Sequence, residues 1–346
     1  MTTSRDAALT PPGPDPSVPR MSLQLVPFRE DDRAVLQALV CDPALADEFD
    51  VFTDADYLDH KLADPYRDRD CTLIAREDGE PAGFCIAFRI PRPEGGAWAA
   101  LRLGVAQRFQ RNHIATALLA AARRELEGRA IPGGLHEIVM SAWRPNPAAA
   151  AFATGHGFHH VRCFWKMERA AAGCPEPVWP PGVSTRIFDG SEPMLGEWTD
   201  AYNASFAEHY HFVPATMEIA RQIASGPRFL RDGLALAYRG GRCVGFCRNE
   251  WFGKEGEIGV LGVVPDARGI GLGRALLRWG VRYFGALGES RATLRVDGEN
   301  EAALGLYRSE AFAVTRTRDV WAVVPASAGS GALSARETRS AAGTRR

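Results

Sequence analysis

The stretch Ala267–Leu277, "ARGIGLGRALL", sets Gly269, Gly271 and Gly273 at alternate positions against the start of an apolar helix. A helix N-terminus presents unsatisfied N–H groups and the positive end of the helix dipole. Glycines there let an anion approach the backbone closely, so phosphate is the natural ligand. Neither of two common phosphate loops fits. No Gly-Lys-Ser/Thr follows, and Arg274 stands where the dinucleotide fingerprint needs its last glycine. A second stretch, "FQRNHIATALL" (Phe109 to Leu119), keeps the same frame with most of the glycines gone.

Working outward, the two stretches belong to two copies of one plan. Val263 falls on Val105 and Arg268 on Gln110, an offset of 158; Asn300 falls on Asn146 and Phe312 on Phe158, an offset of 154. The first copy therefore carries four extra residues, expected in the loop Ile131 to Gly134. Periodicity in the second copy predicts a strand at "STRIF" and helices within Glu192 to Ala224. A hairpin of "LALAYRG" and "RCVGFCRNEW" follows around Gly240-Gly241, then the strand "GEIGVLGVV". The helix "GLGRALLRWGVRYFGAL", the strand "ATLRV", the helix "NEAALGLYRSE" and the strand "FAVTRTRDVWAV" complete it. The copies occupy 22–170 and 183–324, joined by a Pro-rich linker at 171–182; residues 1–21 and 325–346 read as a disordered leader and tail.

Composition excludes several classes. The chain has 346 residues, 46% hydrophobic and 24% charged, with a net charge of -1, so no global field points to nucleic acid or an anionic membrane. No apolar run is long enough to span a bilayer, and the N-terminal stretch lacks the apolar centre of a signal peptide. The seven cysteines are odd in number and scattered; Cys243 and Cys247 read as small apolar strand residues rather than a metal knuckle. A cytoplasmic chain with reduced thiols is expected.

The run Arg268 to Gly273, with Val263 and Pro265 before it and "NEAALGLYRSEAF" after it, resembles the GCN5-related N-acetyltransferase (GNAT) superfamily. The family's loop, Q/R-x-x-G-x-G/A, holds the pyrophosphate of acetyl-coenzyme A (acetyl-CoA). The second copy matches fully; in the first, Gln110 and Ala115 fit but His113 stands at the central glycine. The tandem layout and "GEIGVLGVVPDARGIGLGRALL" are similar to the mycothiol synthase branch, which acetylates a cysteinyl-glucosaminyl-inositol. The resemblance implies an α/β fold of two tandem domains, each a mixed, mostly antiparallel sheet flanked by helices. It also implies an acetyl-CoA cosubstrate held by Arg268, Gly269, Gly271, Leu272, Gly273 and Arg274. Leu261, Gly262 and Val263 would lie along the pantetheine arm, and Asn300 near the coenzyme while capping its own helix.

Acetyl transfer to an amine needs a base, a stabilised oxyanion and an acid for the departing thiolate. The resemblance makes Glu257 the base. Strand alternation sets Glu257, Gly259, Leu261 and Val263 on one face, with Glu257 about 13 Å from Leu261 and so acting through water. Tyr307 is the implied acid, since a phenol can protonate a thiolate. Ala311-Phe312 departs from the family's Gly-Phe at the turn that follows. The first copy carries Ala99 for Glu257, Ala153 for Tyr307 and His113 for Gly271, so it reads as non-catalytic, with its loop crowded. It is expected to support the fold and wall the acceptor cleft.

Acceptor candidates are Glu208, His209 and His211 in "NASFAEHYHFVPAT", and the acidic run "DEFDVFTDADYLDH" at 47–60. The two histidines lack a third ligand nearby, so no metal is expected. The leading expectation is N-acetylation of a small primary amine. A protein or peptide N-acetyltransferase with an open groove, and an acyl-CoA sensor without turnover, are the alternatives.

Overall fold

The computed structural model describes residues 22–42, 45, 55–251 and 255–325. The acidic run lies mostly outside these residues, and the leader and tail lie outside them apart from Pro325. In the first copy the order is β1 (Leu23–Pro27), α1 (Arg33–Val40), α2 (Ala55–Leu62), β2 (Arg67–Glu77), β3 (Glu80–Pro91), β4 (Ala97–Val105), α3 (Ile114–Gly128), β5 (Leu135–Trp143), α4 (Pro147–Gly155) and β6 (His159–Ala170). The second repeats it as β7 (Val183–Ile187), α5 (Glu192–Phe206), α6 (Met217–Ala224), β8 (Phe229–Arg239), β9 (Arg242–Trp251), β10 (Gly256–Val263), α7 (Leu272–Ala286), β11 (Arg291–Asp297), α8 (Glu301–Ser309) and β12 (Ala313–Val323).

Local chemistry explains the elements. In α7, Leu272, Ala275, Leu276, Val281 and Phe284 recur at helical spacing and are buried. The β8–β9 hairpin turns on Gly240 and Gly241, both with positive φ, as its two-residue loop requires. Cys243 and Cys247 are buried in β9, and burial pushes the Cys243 thiol up to about 11, consistent with small apolar residues. Of the four extra residues in the first copy, two lie in the 129–134 loop, against 287–290 in the second copy, and two lengthen β5.

All twelve strands form one sheet, in the order β1-β2-β3-β4-β5-β12-β6-β11-β10-β9-β8-β7. The last strands are exchanged. β12 pairs with β5 of the first copy, β6 pairs with β11 of the second, and the two pair antiparallel with each other at the centre. The cores follow the exchange. Trp321, Val320 and Ala322 of β12 pack with first-copy residues, and Met167 of β6 sits in the second-copy core. A shared sheet places both copies' helices on common faces and makes a joint surface where they meet.

Candidate active site

β10 pairs with parallel β11 only through Glu257↔Thr293 and Ile258↔Leu294, after which the strands part. Beyond that point alternate backbone groups of β10 have no ladder partner on the β11 side. β4 and β5 part likewise after Ala100↔Val139.

Against β9, the register of β10 shifts between Ile258 and Val260, so Gly259 is an extra, bulged residue. A bulge reverses the alternation beyond it. Glu257 pairs with Glu250, while Leu261 and Val263 pair with Cys247 and Gly245. A side chain at Gly245 would meet Leu272 and Leu276 of α7, whereas one at Gly262 would meet Ser205 of α5. The expected common face is therefore corrected. Glu257 and Gly262 lie on the α5 side, and Leu261 and Val263 on the α7 side. A Cβ at Gly259 would stand 2.6 Å from the Glu250 carboxyl carbon, so that carboxylate, paired with Arg248, would have to move. β4 pairs with β3 without any such shift, so the first copy lacks the bulge as well as the carboxylate.

Glu257 is 3% exposed, and Arg295 of β11 donates to its Oε1 at 3.1 Å, fixing the carboxylate beside the gap. Arg295 escaped the sequence reading, although a charge inside an otherwise apolar strand was a visible signal. Tyr307 lies on α8 in the core packed against α7; its burial holds the phenol well above the usual tyrosine range, so it stays protonated at neutral pH. Asn300 caps α8, accepting from the Ala303 N–H at 3.1 Å, and Asn146 caps α4 in the same way.

The glycine loop runs into α7 with Gly269 at φ +80° and Gly271 at φ +89°. A Cβ at either would meet no atom within 4 Å, so the loop's outer face is open, as an approaching phosphate needs. Leu272 is buried beneath it and Gly273 lies near Val263 and Leu306. The Arg268 side chain is committed elsewhere, donating to the carbonyls of Val263 (3.1 Å) and Ser205 (3.0 Å); Gln110 makes the matching bond to Val105. Both side chains brace the loop against the preceding strand.

His113 does not close the first copy's loop. Arg111 and His113 take the left-handed conformation of Gly269 and Gly271, at φ +69° and +60°. A cavity of about 440 Å³ persists between the parted strands, lined by Leu103, Val105, His113, Asn146, Phe152 and Trp321 among others. The expected crowding is thus met by backbone strain, with the cleft kept.

The α5–α6 loop carries the acceptor candidates. His211, at φ +56°, stacks between Tyr210 (centroids 3.7 Å) and Trp98 of β4 (4.0 Å). Its Nε2 lies 2.6 Å from Glu137 Oε1 on β5. Arg162 of β6 covers the Tyr210 ring at 4.1 Å. His211 is thereby a clasp between the copies. Burial would raise the Glu137 carboxyl, but the hydrogen bond and charge of His211 outweigh it and hold it below the usual range. His209 packs edge-on against Phe206, and burial followed by Arg268 depresses its imidazole. Glu208 is exposed. Trp98, Glu137 and Arg162 were invisible as site residues because their sequence neighbours belong to the other copy. Among the described residues, no group of three or more His, Cys, Asp or Glu side chains could hold a metal ion, and no helix is long and apolar enough to cross a membrane.

The profile of the Acetyltransferase (GNAT) family matches the chain twice, over residues 37–158 and 195–312. A mycothiol acetyltransferase of Thermomonospora curvata is 32% identical over 252 residues, covering 70% of this chain and 79% of that protein. One from Paenarthrobacter aurescens is 31% identical over 249 residues, covering 68% and 74%. Among solved structures, a tandem GNAT protein from the clavulanic acid biosynthesis pathway superposes with a TM-score of 0.70 at 17% identity, over 88% of this chain and 99% of its own. With one match on each sequence copy, and relatives and solved structures that span both, the chain belongs to the GNAT acetyltransferase family as a tandem N-acetyltransferase similar to the mycothiol acetyltransferases.

Proposed function

We propose that the second copy transfers acetyl from acetyl-CoA to the primary amine of a small metabolite of the cysteinyl-glucosaminyl-inositol type. The observation that carries this reading is the gap between β10 and β11, with the buried carboxylate of Glu257 fixed beside it by Arg295; the buried phenol of Tyr307 lies in the core of the same copy. The named relatives cover both copies and support the acceptor class.

In this reading the pyrophosphate lies on the open loop at Gly269 to Gly273, with Arg274 beside it, and the pantetheine arm enters the gap. The thioester oxygen meets backbone N–H groups on the free edge of β10 near Leu261. The amine nitrogen attacks the carbonyl carbon and gives its proton, through water, to Glu257. The C–S bond breaks as Tyr307 donates its proton to the departing sulfur. The first copy has neither group, with fully buried alanines at 99 and 153, and serves as scaffold. The His211–Glu137 clasp closes one side of the sheet face that bears Glu257. That favours an enclosed small-molecule pocket over an open peptide groove.

The test is mass spectrometry after incubation with acetyl-CoA and a panel of amines that includes cysteinyl-glucosaminyl-inositol and a lysine peptide. An acetylated cysteinyl product, abolished by Glu257→Ala, is expected. Acetylation of the peptide alone would replace the acceptor class. Coenzyme binding without product from any amine would favour a sensor.

A further inference from the structure

Two carboxylates face each other across β9 and β10. Strand pairing sets Glu250 of β9 directly opposite Glu257, on the α5 side of the sheet. We infer that Glu250 receives the ammonium group of the acceptor and holds its nitrogen beside the thioester, an inference that rests on the function proposed above.

The placement of the Glu250 side chain carries this role. A Cβ on Gly259 would stand 2.6 Å from the Glu250 Cδ and 2.9 Å from its Oε2. The side chain therefore crosses from its own strand to lie over the bulge of β10, on the stretch between Glu257 and Leu261. That brings the carboxylate two residues, or about 7 Å, nearer to Leu261 than strand pairing alone would. Its Oε1 accepts from Arg248 Nη2, and Oε2 is the oxygen that overlies Gly259. Arg248 is itself held over the Trp198 ring of α5, at 5.4 Å. The Glu250 side chain is 16% exposed and that of Glu257 4%, so a solute meets Glu250 first. A primary ammonium has three donors, enough for a charge-assisted bond to Glu250 and one to the water that leads to Glu257. Glu250 keeps its charge throughout, and the proton leaves toward Glu257.

Packing does not call for these charges. Like charges directly opposite each other in a sheet repel, and here each carboxylate has its own arginine, Arg295 for Glu257 and Arg248 for Glu250. The first copy builds the same sheet without them. With the bulge counted, strand pairing puts Ala100 and Phe88 where Glu257 and Glu250 stand, and Ile86 and Ser141 where Arg248 and Arg295 stand. Ala100, Phe88 and Ile86 pack with Leu36, Leu39 and Val40 of α1 in one apolar core. An apolar face is thus sufficient for the fold, and the four charges belong to the copy with the open glycine loop.

Steady-state kinetics of the full chain with acetyl-CoA and cysteinyl-glucosaminyl-inositol, or whichever amine of the panel is acetylated, tests the role. Glu250→Gln should raise KM for the amine by about 10–100-fold, with kcat little changed and coenzyme affinity unaltered in calorimetry. Glu257→Gln should do the reverse and lower kcat. Glu250→Asp, which keeps the charge, should recover part of the lost KM. Glu250→Gln leaves the Arg248 guanidinium without its carboxylate, so a double variant, Arg248→Met with Glu250→Gln, removes both charges together. It should melt close to the wild type and show the same rise in KM. An unchanged KM in Glu250→Gln and in the double variant, with product still formed by the wild type, would overturn the role of Glu250 and leave the proposed function standing. A loss of coenzyme affinity and melting temperature with KM unchanged would make Glu250 structural and overturn the role as well. No acetylated amine with the wild type would overturn both.

Discussion

At the residue scale, the proposed chemistry rests on two buried side chains, Glu257 on β10 and Tyr307 on α8. Glu257→Gln should lower kcat by about 10²–10³-fold and Tyr307→Phe by about 10–100-fold, each with coenzyme affinity nearly unchanged, as steady-state rates and calorimetry would show. Unchanged kcat in either would remove that residue from its role. A second residue tests strain rather than catalysis. Ala311 ends α8 at φ +64°, while its counterpart Gly157 sits at φ +80°. The Phe312 N–H donates to the Tyr307 carbonyl at 3.0 Å, so the family's turn is kept despite the alanine. A left-handed alanine costs about 1 kcal/mol, so Ala311→Gly should stabilise the chain by about that amount in urea titration.

At the scale of elements, β10 shows how one residue re-aims a strand. Gly259→Ala would drive a methyl group into the Glu250 carboxyl, which is paired with Arg248. It should cost about 1–3 kcal/mol and lower turnover more than coenzyme binding, since the loop at Gly269 is untouched. The bulge was legible only as a hint. "EIGVLGV" satisfies a straight strand, and an isolated glycine in a strand marks a bulge only when the partner's register is known. The α5–α6 loop and β12 make the acid response. Glu137 is held low by His211. Burial opposes the shift at Asp319, but Arg144 and His160 hold it low as well. A depressed carboxyl pKa stabilises the fold above its unfolded value of about 4 and loses that stabilisation as pH falls through the lower folded value. Thermal stability should therefore be flat with respect to these groups from pH 7 to about 5 and fall below about 4, and Asp319→Asn should reduce that slope in melting curves.

At the scale of the whole molecule, the exchanged strands make the copies interdependent. Trp321 is 5% exposed in the first copy's core and lines its cleft, although it is encoded at the end of the second. Trp321→Ala should cost about 3–5 kcal/mol. We expect residues 1–182 and 183–346, expressed apart, to be unstable or aggregated, each missing one central strand, and to recover as a complex when co-expressed. Gel filtration and circular dichroism would decide; two stable, monomeric halves would show the exchange to be dispensable. The same interdependence gives the first copy a structural use. It lends Trp98 and Glu137 to the clasp on His211 of the second.

The sequence alone determined the elements, the duplication and the open glycine loop, and it nominated Glu257 and Tyr307. These depend on local signals: periodicity, turn glycines, capping residues and a motif contained in one stretch. The face on which Glu257 lies, the commitment of His211 to Glu137, the bracing role of Arg268 and the exchange of β6 and β12 were decided only in three dimensions. The reason is physical. Two copies of one plan offer equivalent edge strands, and local propensity does not distinguish pairing within a copy from pairing between copies. Which arrangement forms depends on the packing of Trp321 and Met167 against residues far away in the chain.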